Sequence, residues 1–298
     1  MTSNSVPQPL AAPRPSAGPA LVGLFCLLWS SAFAVGKIAL ADCPPLLLLS
    51  LRFLLAGLLL LGACALAGRM KGLTRRDWTA LILAGLLNNA LYLGLSFSGM
   101  ATVSSAFTAV IISANPLLTA LVAGPVLGER LTLRKMAGLL LGFAGVIIVL
   151  RSRLAGGHEG LTGTLFVLAG LVALTAGTLT YKKFGTSVDL FQASGIQCLA
   201  GGLALLPVAL MTESVAAIHL TPSFLGSFAY MVLGVSVGGY TLWYFILNRS
   251  SATDATALHF LMPPLGLLFG WALLGEPVPL LDIAGIVPIA AGIWLVTR

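Results

Sequence analysis

Long runs of apolar residues alternate with short polar connections along almost the whole chain. A helix that crosses a bilayer needs about 20 mainly apolar residues. Runs of this length predict ten membrane-spanning helices, namely residues 18–40, 45–67, 78–98, 103–127, 131–150, 160–182, 189–211, 222–246, 252–275 and 279–297. The connections between them are too short to hold a soluble domain. The predicted fold class is therefore an all-α membrane protein.

The pattern of the first half recurs in the second half. When the sequence is shifted by 147 positions, Pro116 falls on Pro263 and Glu129 falls on Glu276. Each copy contains five predicted helices. Because five is an odd number, the second copy must enter the membrane from the opposite side. This predicts two inverted five-helix repeats around a central cavity.

Residues 18–151 form the first predicted repeat and residues 160–298 form the second. Residues 1–17 are rich in proline, serine and alanine and are predicted to be a disordered cytoplasmic tail. Most arginines and lysines of the loops fall on the side of the membrane where the N-terminus is predicted to lie. Positively charged loops favour the cytoplasm, so we expect both chain ends there.

The composition is typical of a membrane protein and excludes other classes. Hydrophobic residues make up 58% of the chain and charged residues 8%, with a mean hydropathy of +1.02. A soluble domain carries about 25% charged residues. The net charge is +7, but the sequence lacks the clustered basic residues and interleaved aromatics of a nucleic-acid-binding face. The expected partners are the lipid bilayer and a small-molecule substrate, with no nucleic acid, and the chain is predicted to be a monomer.

Several kinds of chemistry have no residues to support them. No aspartate or glutamate lies in the middle of a predicted helix, which argues against a carboxylate proton relay or a sodium site. No phosphate-binding G-x-x-x-x-G-K-[ST] loop occurs. The four cysteines are scattered without the spacing of metal ligands. We therefore expect no metal, no cofactor and no enzymatic activity.

Polar residues follow one face of the fourth and ninth predicted helices. In the fourth helix this stripe includes Thr108 and Asn115, and in the ninth it includes His259 and Met262. Asn115 and His259 are predicted to face one central space from the two repeats and to bind substrate there. Asn115 could instead tie two helices together. His259 could instead carry a proton or hydrogen-bond to a neighbouring helix.

Prolines and glycines predict hinges and close packing. Pro116 and Pro263 each leave a carbonyl without its usual donor one turn earlier, so they could provide acceptors or hinges. Gly138 and Gly142 lie four residues apart in the fifth helix, a spacing that favours close helix packing.

Two basic residues lie within apolar runs. Arg52 lies about 12 Å along the second helix, at about 1.5 Å for each residue. It could bind helix carbonyls between neighbouring helices or balance the carboxylate of a substrate. Lys37, near the outer end of the first helix, has the same two interpretations.

Aromatic residues predict the walls of the cavity. Tyr92 and Tyr240 lie deeper than the aromatic belts that anchor membrane helices at the interface. Trp243 lies nearer the cytoplasmic end and could either line the cavity or anchor its helix at the interface. Asn89 and Ser96 are predicted to share the helical face of Tyr92. The predicted cavity residues are Asn115, His259, Tyr92, Asn89, Tyr240, Trp243, Thr108, Ser96, Trp29 and Met262.

Several motifs resemble those of the drug/metabolite transporter superfamily, in particular its EamA-type ten-helix exporters. They are Trp29-Ser-Ser-Ala-Phe33, Leu51-Arg52-Phe53, Asn115-Pro116 through Gly128-Glu129, and its echo Met262-Pro263 through Gly275-Glu276. The resemblance implies a basket of helices around a cavity lined mainly by helices 1, 3, 4, 6, 8 and 9. It also implies cytoplasmic termini and a location in the bacterial inner membrane. The aromatic eighth helix is most similar to that of bacterial aromatic amino-acid exporters.

Residues and resemblance together predict an inner-membrane exporter of small metabolites, amino acids including aromatic ones, that works by alternating access. Export would be facilitated or weakly coupled to protons through His259. The alternative is a broad-specificity drug or cation efflux transporter of the same superfamily. A membrane-embedded enzyme would need a paired acid, base or metal set, and the sequence offers one histidine without a nearby carboxylate.

Overall fold

Ten long helical stretches follow one another in the structure, a computed structural model that describes residues 18–155, 159–184 and 188–297. They are α1 (Pro19–Ala39), α2 (Pro45–Leu66), α3 (Arg75–Gly99), α4 (Ser105–Leu127), α5 (Leu133–Ala155), α6 (Leu161–Phe184), α7 (Leu190–Thr212), α8 (Pro222–Leu247), α9 (Ala252–Leu274) and α10 (Leu280–Thr297). The predicted tail, residues 1–17, lies outside the described residues. All regular structure in these ranges is helical, which confirms the all-α fold class.

The described residues support most of the predicted membrane spans. Within the described ranges, eight helices are long and apolar enough to cross a membrane, which are all but α5 and α10. The helices α5 and α10 pack against each other along much of their length. The total of ten spans therefore stays a prediction.

The packing of the helices follows the sequence repeat. Helix α1 packs on α8 and α9, and its counterpart α6 packs on α3 and α4. Three further pairs join equivalent helices of the two repeats: α2 with α7, α4 with α9, and α5 with α10. Exchanging the repeats leaves this set of contacts unchanged, as expected for two related halves around an approximate two-fold axis.

Two glycines end α4 and α9 in the same way. Gly128 and Gly275 have φ angles of 71° and 66°, in the left-handed region that glycine enters without steric cost. The chain turns sharply there, and the next residue of each repeat is a glutamate, Glu129 or Glu276.

These two glutamates reach across to the opposite repeat. Glu129 accepts hydrogen bonds from the backbone N–H groups of Ala252, at 2.6 Å, and Thr253. Glu276 accepts from the N–H group of Ser105, at 3.1 Å, and from that of Ala106. Each carboxylate therefore sits on the positive N-terminus of the other repeat's helix, where an anion is stabilised. Since the last residues of α4 meet the first of α9 and the reverse, the two helices run antiparallel and the repeats are inverted.

We call these contacts the glutamate clasps, and we name the two ends of the bundle the Glu129 end and the Glu276 end. A lysine reinforces each end. Lys37 Nζ donates to the carbonyl of Val103 at 3.0 Å, and Lys182 Nζ donates to the carbonyl of Ser250, 147 positions later than Val103. Both lysines bind carbonyls that follow a helix, where a cation is favoured.

Glycines bring the backbones of α5 and α10 together. A Cβ atom on Gly138 would lie 2.8 Å from the carbonyl oxygen of Gly292, and one on Gly145 would lie 2.6 Å from that of Gly285. These two pairs are equivalent under the repeat. Gly142 lies against the ring of Phe260, which a Cβ atom would approach to 2.8 Å.

Candidate substrate site

Interrupted helices surround the middle of the bundle. The sequence predicts continuous helices at 103–127 and 252–275, but α4 is interrupted between Ile112 and Asn115, and α9 contains a short 3-10 segment, Leu258–Leu261. Pro116 and Pro263 occupy the first turn of the segment that follows. A proline there removes no helical hydrogen bond, because the first N–H groups of a helix have no intrahelical partner.

Helices α3 and α8 are irregular in a different way. Each contains a π-helical segment, Leu86–Leu93 in α3 and Tyr230–Gly239 in α8, at overlapping positions of the repeat. A π-helical turn is wider than an α-helical one and is frequent at functional sites. It also shifts the side chains that follow to a different face. The apolar periodicity of the sequence did not predict these segments.

A small cavity of about 10 Å³ lies among α1, α2, α3 and α8, which is about the space that one water molecule needs. It is lined by Trp29, Ala32, Phe33, Arg52, Tyr92, Leu93, Phe97, Val235 and Tyr240. Four sequence-predicted residues, Trp29, Arg52, Tyr92 and Tyr240, therefore meet at one place. The resemblance implied a cavity lined also by α4, α6 and α9, whereas this one takes in α2 through Arg52.

Aromatic rings extend from this cavity toward α9. The ring centroids of Trp29 and Tyr240 are 5.5 Å apart, and those of Trp29 and Trp243 are 5.9 Å apart. His259 meets Trp243 edge to face at 5.2 Å. Its Nδ1 lies 3.0 Å from the carbonyl oxygen of Thr256, which can only accept, so Nδ1 carries a proton. The other nitrogen, Nε2, has no hydrogen-bond partner among the described residues.

Asn115 is held by a neighbouring helix. Its Oδ1 accepts hydrogen bonds from Thr175 of α6 at 2.8 Å and from Thr119 at 3.3 Å. Thr108 donates to the carbonyl of Ser104 in the first turn of its own helix. Asn115 and His259 bind different groups, and neither lines the cavity. The amide oxygen of Asn115 thus binds one threonine of α6 and one of its own helix, whereas its Nδ2 has no partner among the described residues. A common space between Asn115 and His259 stays a prediction.

The residues predicted to share one helical face with Tyr92 lie in different surroundings. Tyr92 lines the cavity, whereas Asn89 packs against Gly201 of α7 and Ser96 packs against Gly170 of α6. The π-helical segment that contains Asn89 and Tyr92 changes the α-helical periodicity on which the prediction depended. Met262, also predicted for the cavity, is buried in the apolar core.

Arg52 is the charged residue of the cavity. Only 1% of it is exposed, and its Nε donates to Ser236 Oγ of α8 at 2.8 Å. Its Cζ lies 5.0 Å from the ring centroid of Phe53, and Nη1 has no partner among the described residues. Sequence reasoning missed Ser236. The signal that could have identified it is the glycine-rich surrounding, Gly234 to Gly239, where a lone serine has little other reason to be buried.

Other surfaces are less suited to a polar solute. A groove of about 470 Å³ lies on the outside of the bundle between α2, α3, α6 and α7, and its lining is almost wholly apolar. Such a surface suits lipid chains better than a charged metabolite. Within the described residues, no group of three or more histidine, cysteine, aspartate or glutamate side chains could hold a metal ion.

Comparison with known proteins identifies the repeat unit. The model of the EamA-like transporter family matches residues 16–151 and again residues 161–298. The chain belongs to the EamA-like transporter family. This EamA-like protein is therefore a small-molecule transporter of the drug/metabolite transporter superfamily, as the sequence motifs implied.

Individual relatives of this EamA-like chain are named as transporters too. An uncharacterized transporter of Bacillus subtilis is 30% identical over 93% of this chain and 90% of its own length. A protein of Salmonella typhimurium named a probable amino-acid metabolite efflux pump is 27% identical over 91% of this chain and 92% of its own. A solved crystal structure with 21% identity superimposes with a TM-score of 0.75 over 95% of this chain and 98% of that one. That likeness supports the fold alone.

Proposed function

We propose that this protein exports small metabolites, among them aromatic and other amino acids, across the bacterial inner membrane. The observation that carries the proposal is the cavity with Trp29, Tyr92 and Tyr240 in its wall. Aromatic walls suit flat, amphipathic solutes because they offer a large apolar surface. The name of the Salmonella relative, an amino-acid metabolite efflux pump, supports the same substrate class.

Alternating access is the proposed mechanism. The cavity of about 10 Å³ is too small for an amino acid, so it must enlarge before a substrate enters. The clasps join the repeats at both ends of the bundle. Opening one clasp while the other stays closed would admit a substrate from one side at a time. The loop charges favour cytoplasmic chain ends, which would make the Glu129 end the cytoplasmic one.

The proposal is tested with purified protein in liposomes. Radiolabelled phenylalanine loaded inside should exchange with unlabelled phenylalanine added outside, and the replacement Trp29→Ala should slow this exchange. Liposomes without protein, together with the variant Leu58→Ala on the exposed surface of α2, serve as controls. An exchange rate equal to that of empty liposomes for every amino acid tried would overturn amino-acid export.

Coupling is tested in the same liposomes. Transport that continues after the pH gradient is collapsed, and after His259→Ala, indicates facilitated export. Loss of transport in both cases indicates coupling to protons through His259.

The aromatic wall also favours a second candidate, a broad-specificity drug or cation efflux transporter. Aromatic rings attract cations over their faces, and Trp29, Tyr92 and Tyr240 lie together. Competition separates the two candidates. Amino acids should compete with one another for a metabolite exporter, whereas cationic dyes should compete for a drug transporter.

A further inference from the structure

Arg52 carries a buried charge that has no counter-charge among the described residues. Among the residues that the structure describes, ion pairs join Arg69 to Asp189 and Lys135 to Asp254, and neither reaches Arg52. One neutral hydroxyl, Ser236 Oγ, accepts from Nε, while Nη1 has no partner. A buried charge without a partner is strongly destabilising.

A purely structural role explains this arrangement poorly. A single hydrogen bond between α2 and α8 needs only a neutral donor, and a guanidinium adds a charge that must be removed from water. Lys37 shows the structural alternative: its ammonium binds the carbonyls that follow α3. Among the described residues, Arg52 has no hydrogen bond to a carbonyl, and its side chain, with the unpartnered Nη1, lies in the cavity wall.

The groups around Arg52 suit a carboxylate. A guanidinium has a planar pair of donors that matches the two oxygens of a carboxylate. The hydroxyl of Tyr240, in the same wall, also has no hydrogen-bond partner among the described residues. A carboxylate placed between them would accept bonds from both. The rings of Phe33 and Phe97 then remain as apolar surface for the rest of the ligand.

The wall contains no carboxylate that would form an ion pair with an ammonium. Its nine described residues include no aspartate and no glutamate. An amino acid bound through its carboxylate would therefore keep its α-ammonium without an ionic partner. The amino group gains no ion pair in such a site, so the carboxylate is the group that recognition depends on.

We propose that Arg52, with the Tyr240 hydroxyl as second donor, binds the carboxylate of the transported molecule. The substrates are small monocarboxylates with an aromatic or apolar side chain, with or without an α-amino group. This inference rests on the proposed function, because it names the chemical group by which the exporter recognises its substrates. It extends the substrate class from amino acids to the corresponding acids that lack the amine.

The first test uses the wild-type protein in the liposome exchange assay with labelled phenylalanine. Four competitors share one phenyl ring: phenylalanine, phenylpropionate without the amine, phenylalaninamide without the charge of the carboxylate, and phenethylamine without the carboxyl group. We expect the two carboxylates to inhibit at similar concentrations. The amide and the amine should need about tenfold higher concentrations or more, because they lose charge-assisted hydrogen bonds to Arg52.

The second test uses variants. Arg52→Gln should abolish the preference for carboxylates, and Arg52→Lys should keep a weaker preference, since an ammonium lacks the paired donors. The matched control is Ser236→Ala, which removes the bond to α8 and leaves the guanidinium in place. We expect this control to retain the preference. Melting temperatures in detergent, with and without phenylpropionate, report binding independently of transport.

The outcomes separate this inference from the proposed function. Exchange of phenylalanine with equal inhibition by the amine and the acid overturns the inference and leaves amino-acid export standing. Failure of phenylpropionate to compete does the same. If Ser236→Ala loses the preference for carboxylates as fully as Arg52→Gln does, the role of Arg52 is only to hydrogen-bond α2 to α8. If no aromatic acid or amino acid is exchanged while cationic dyes are, the proposed function itself fails.

Discussion

The ends of the bundle and its centre differ in how far they keep the sequence repeat. At the Glu129 end and the Glu276 end, the same contacts recur with the repeats exchanged. In the centre the equivalents differ: His259 corresponds to Ile112, and Met262 to Asn115. The two ends thus retain equivalent hydrogen bonds, which suits two sides that open in turn. The centre has diverged, and the groups that recognise a solute need no symmetry.

The largest expected effect comes from removing both clasps. Glu129→Ala with Glu276→Ala leaves N–H groups at the starts of α9 and α4 without acceptors. Both glutamates are partly exposed, so we expect each clasp as a whole to contribute about as much as one hydrogen bond to a charged group, about 1.5–3 kcal/mol. The double variant should then lower the free energy of unfolding by about 3–6 kcal/mol. Chemical unfolding in detergent micelles measures this.

Each single clasp variant should show about half of that loss if the two ends are equivalent. Asp77→Ala is the control, because Asp77 caps the exposed start of α3 within one repeat and should matter less than either. A severe effect of one glutamate beside a negligible effect of the other would contradict the equivalence of the ends.

The next largest effect should come from the glycine contacts of α5 and α10. Gly138→Val and Gly292→Val both place a side chain against a backbone carbonyl. Overpacking of this kind costs about 1–3 kcal/mol, and the two variants should agree because they enlarge the same contact from either side. Thermal unfolding monitored by size-exclusion chromatography measures the loss. Gly23→Ala is the matched control, since a Cβ atom there meets nothing within 4 Å.

A smaller effect is expected at the centre. Thr175→Val removes the hydroxyl that Asn115 accepts from at 2.8 Å, while Thr119 remains as a donor. The expected loss is about 1 kcal/mol, read from the unfolding midpoint in denaturant. Thr178→Val is the control: this threonine is also buried on α6, but its hydroxyl has no partner among the described residues. Equal losses in both variants would show that the bond to Asn115 contributes nothing.

The smallest effect is expected from a partly exposed ion pair. Lys135 and Asp254 form an ion pair at the Glu129 end, and both side chains are partly exposed. Solvent screening limits such pairs to about 0–1 kcal/mol, so Lys135→Met should change the melting temperature little. A loss of stability as large as that of a single clasp variant would mean that different contacts stabilise the two ends.

Sequence patterns predict the helices and the repeat well because both depend on residues that are near in sequence or regularly spaced. The apolar runs locate the helices to within a few residues, and the shift that joins Pro116 to Pro263 reveals the inverted halves. The interruption of α4 at Asn115 was misread as a continuous helix with a central proline. Proline in the first turn and proline in the middle of a helix have the same local sequence signature.

The site is harder to predict because it depends on packing between distant elements. The π-helical segment of α3 alters which face Asn89 shares with Tyr92, and no local pattern encodes that widening. The partner of Arg52 lies 184 positions away on α8. The sequence pattern pairs Glu129 with Glu276 but predicts no partner for either, although applying the repeat shift to Ser105 yields Ala252, the residue that Glu129 contacts.

The contact of Glu276 with the opposite repeat also affects the biogenesis of the protein. The amide of Ser105 leaves the ribosome 171 residues before the carboxylate that will bind it. Until α9 has been synthesised and inserted, the start of α4 stays without its acceptor. The first half alone therefore lacks this contact, and the clasp can form only after α9 and Glu276 have been translated.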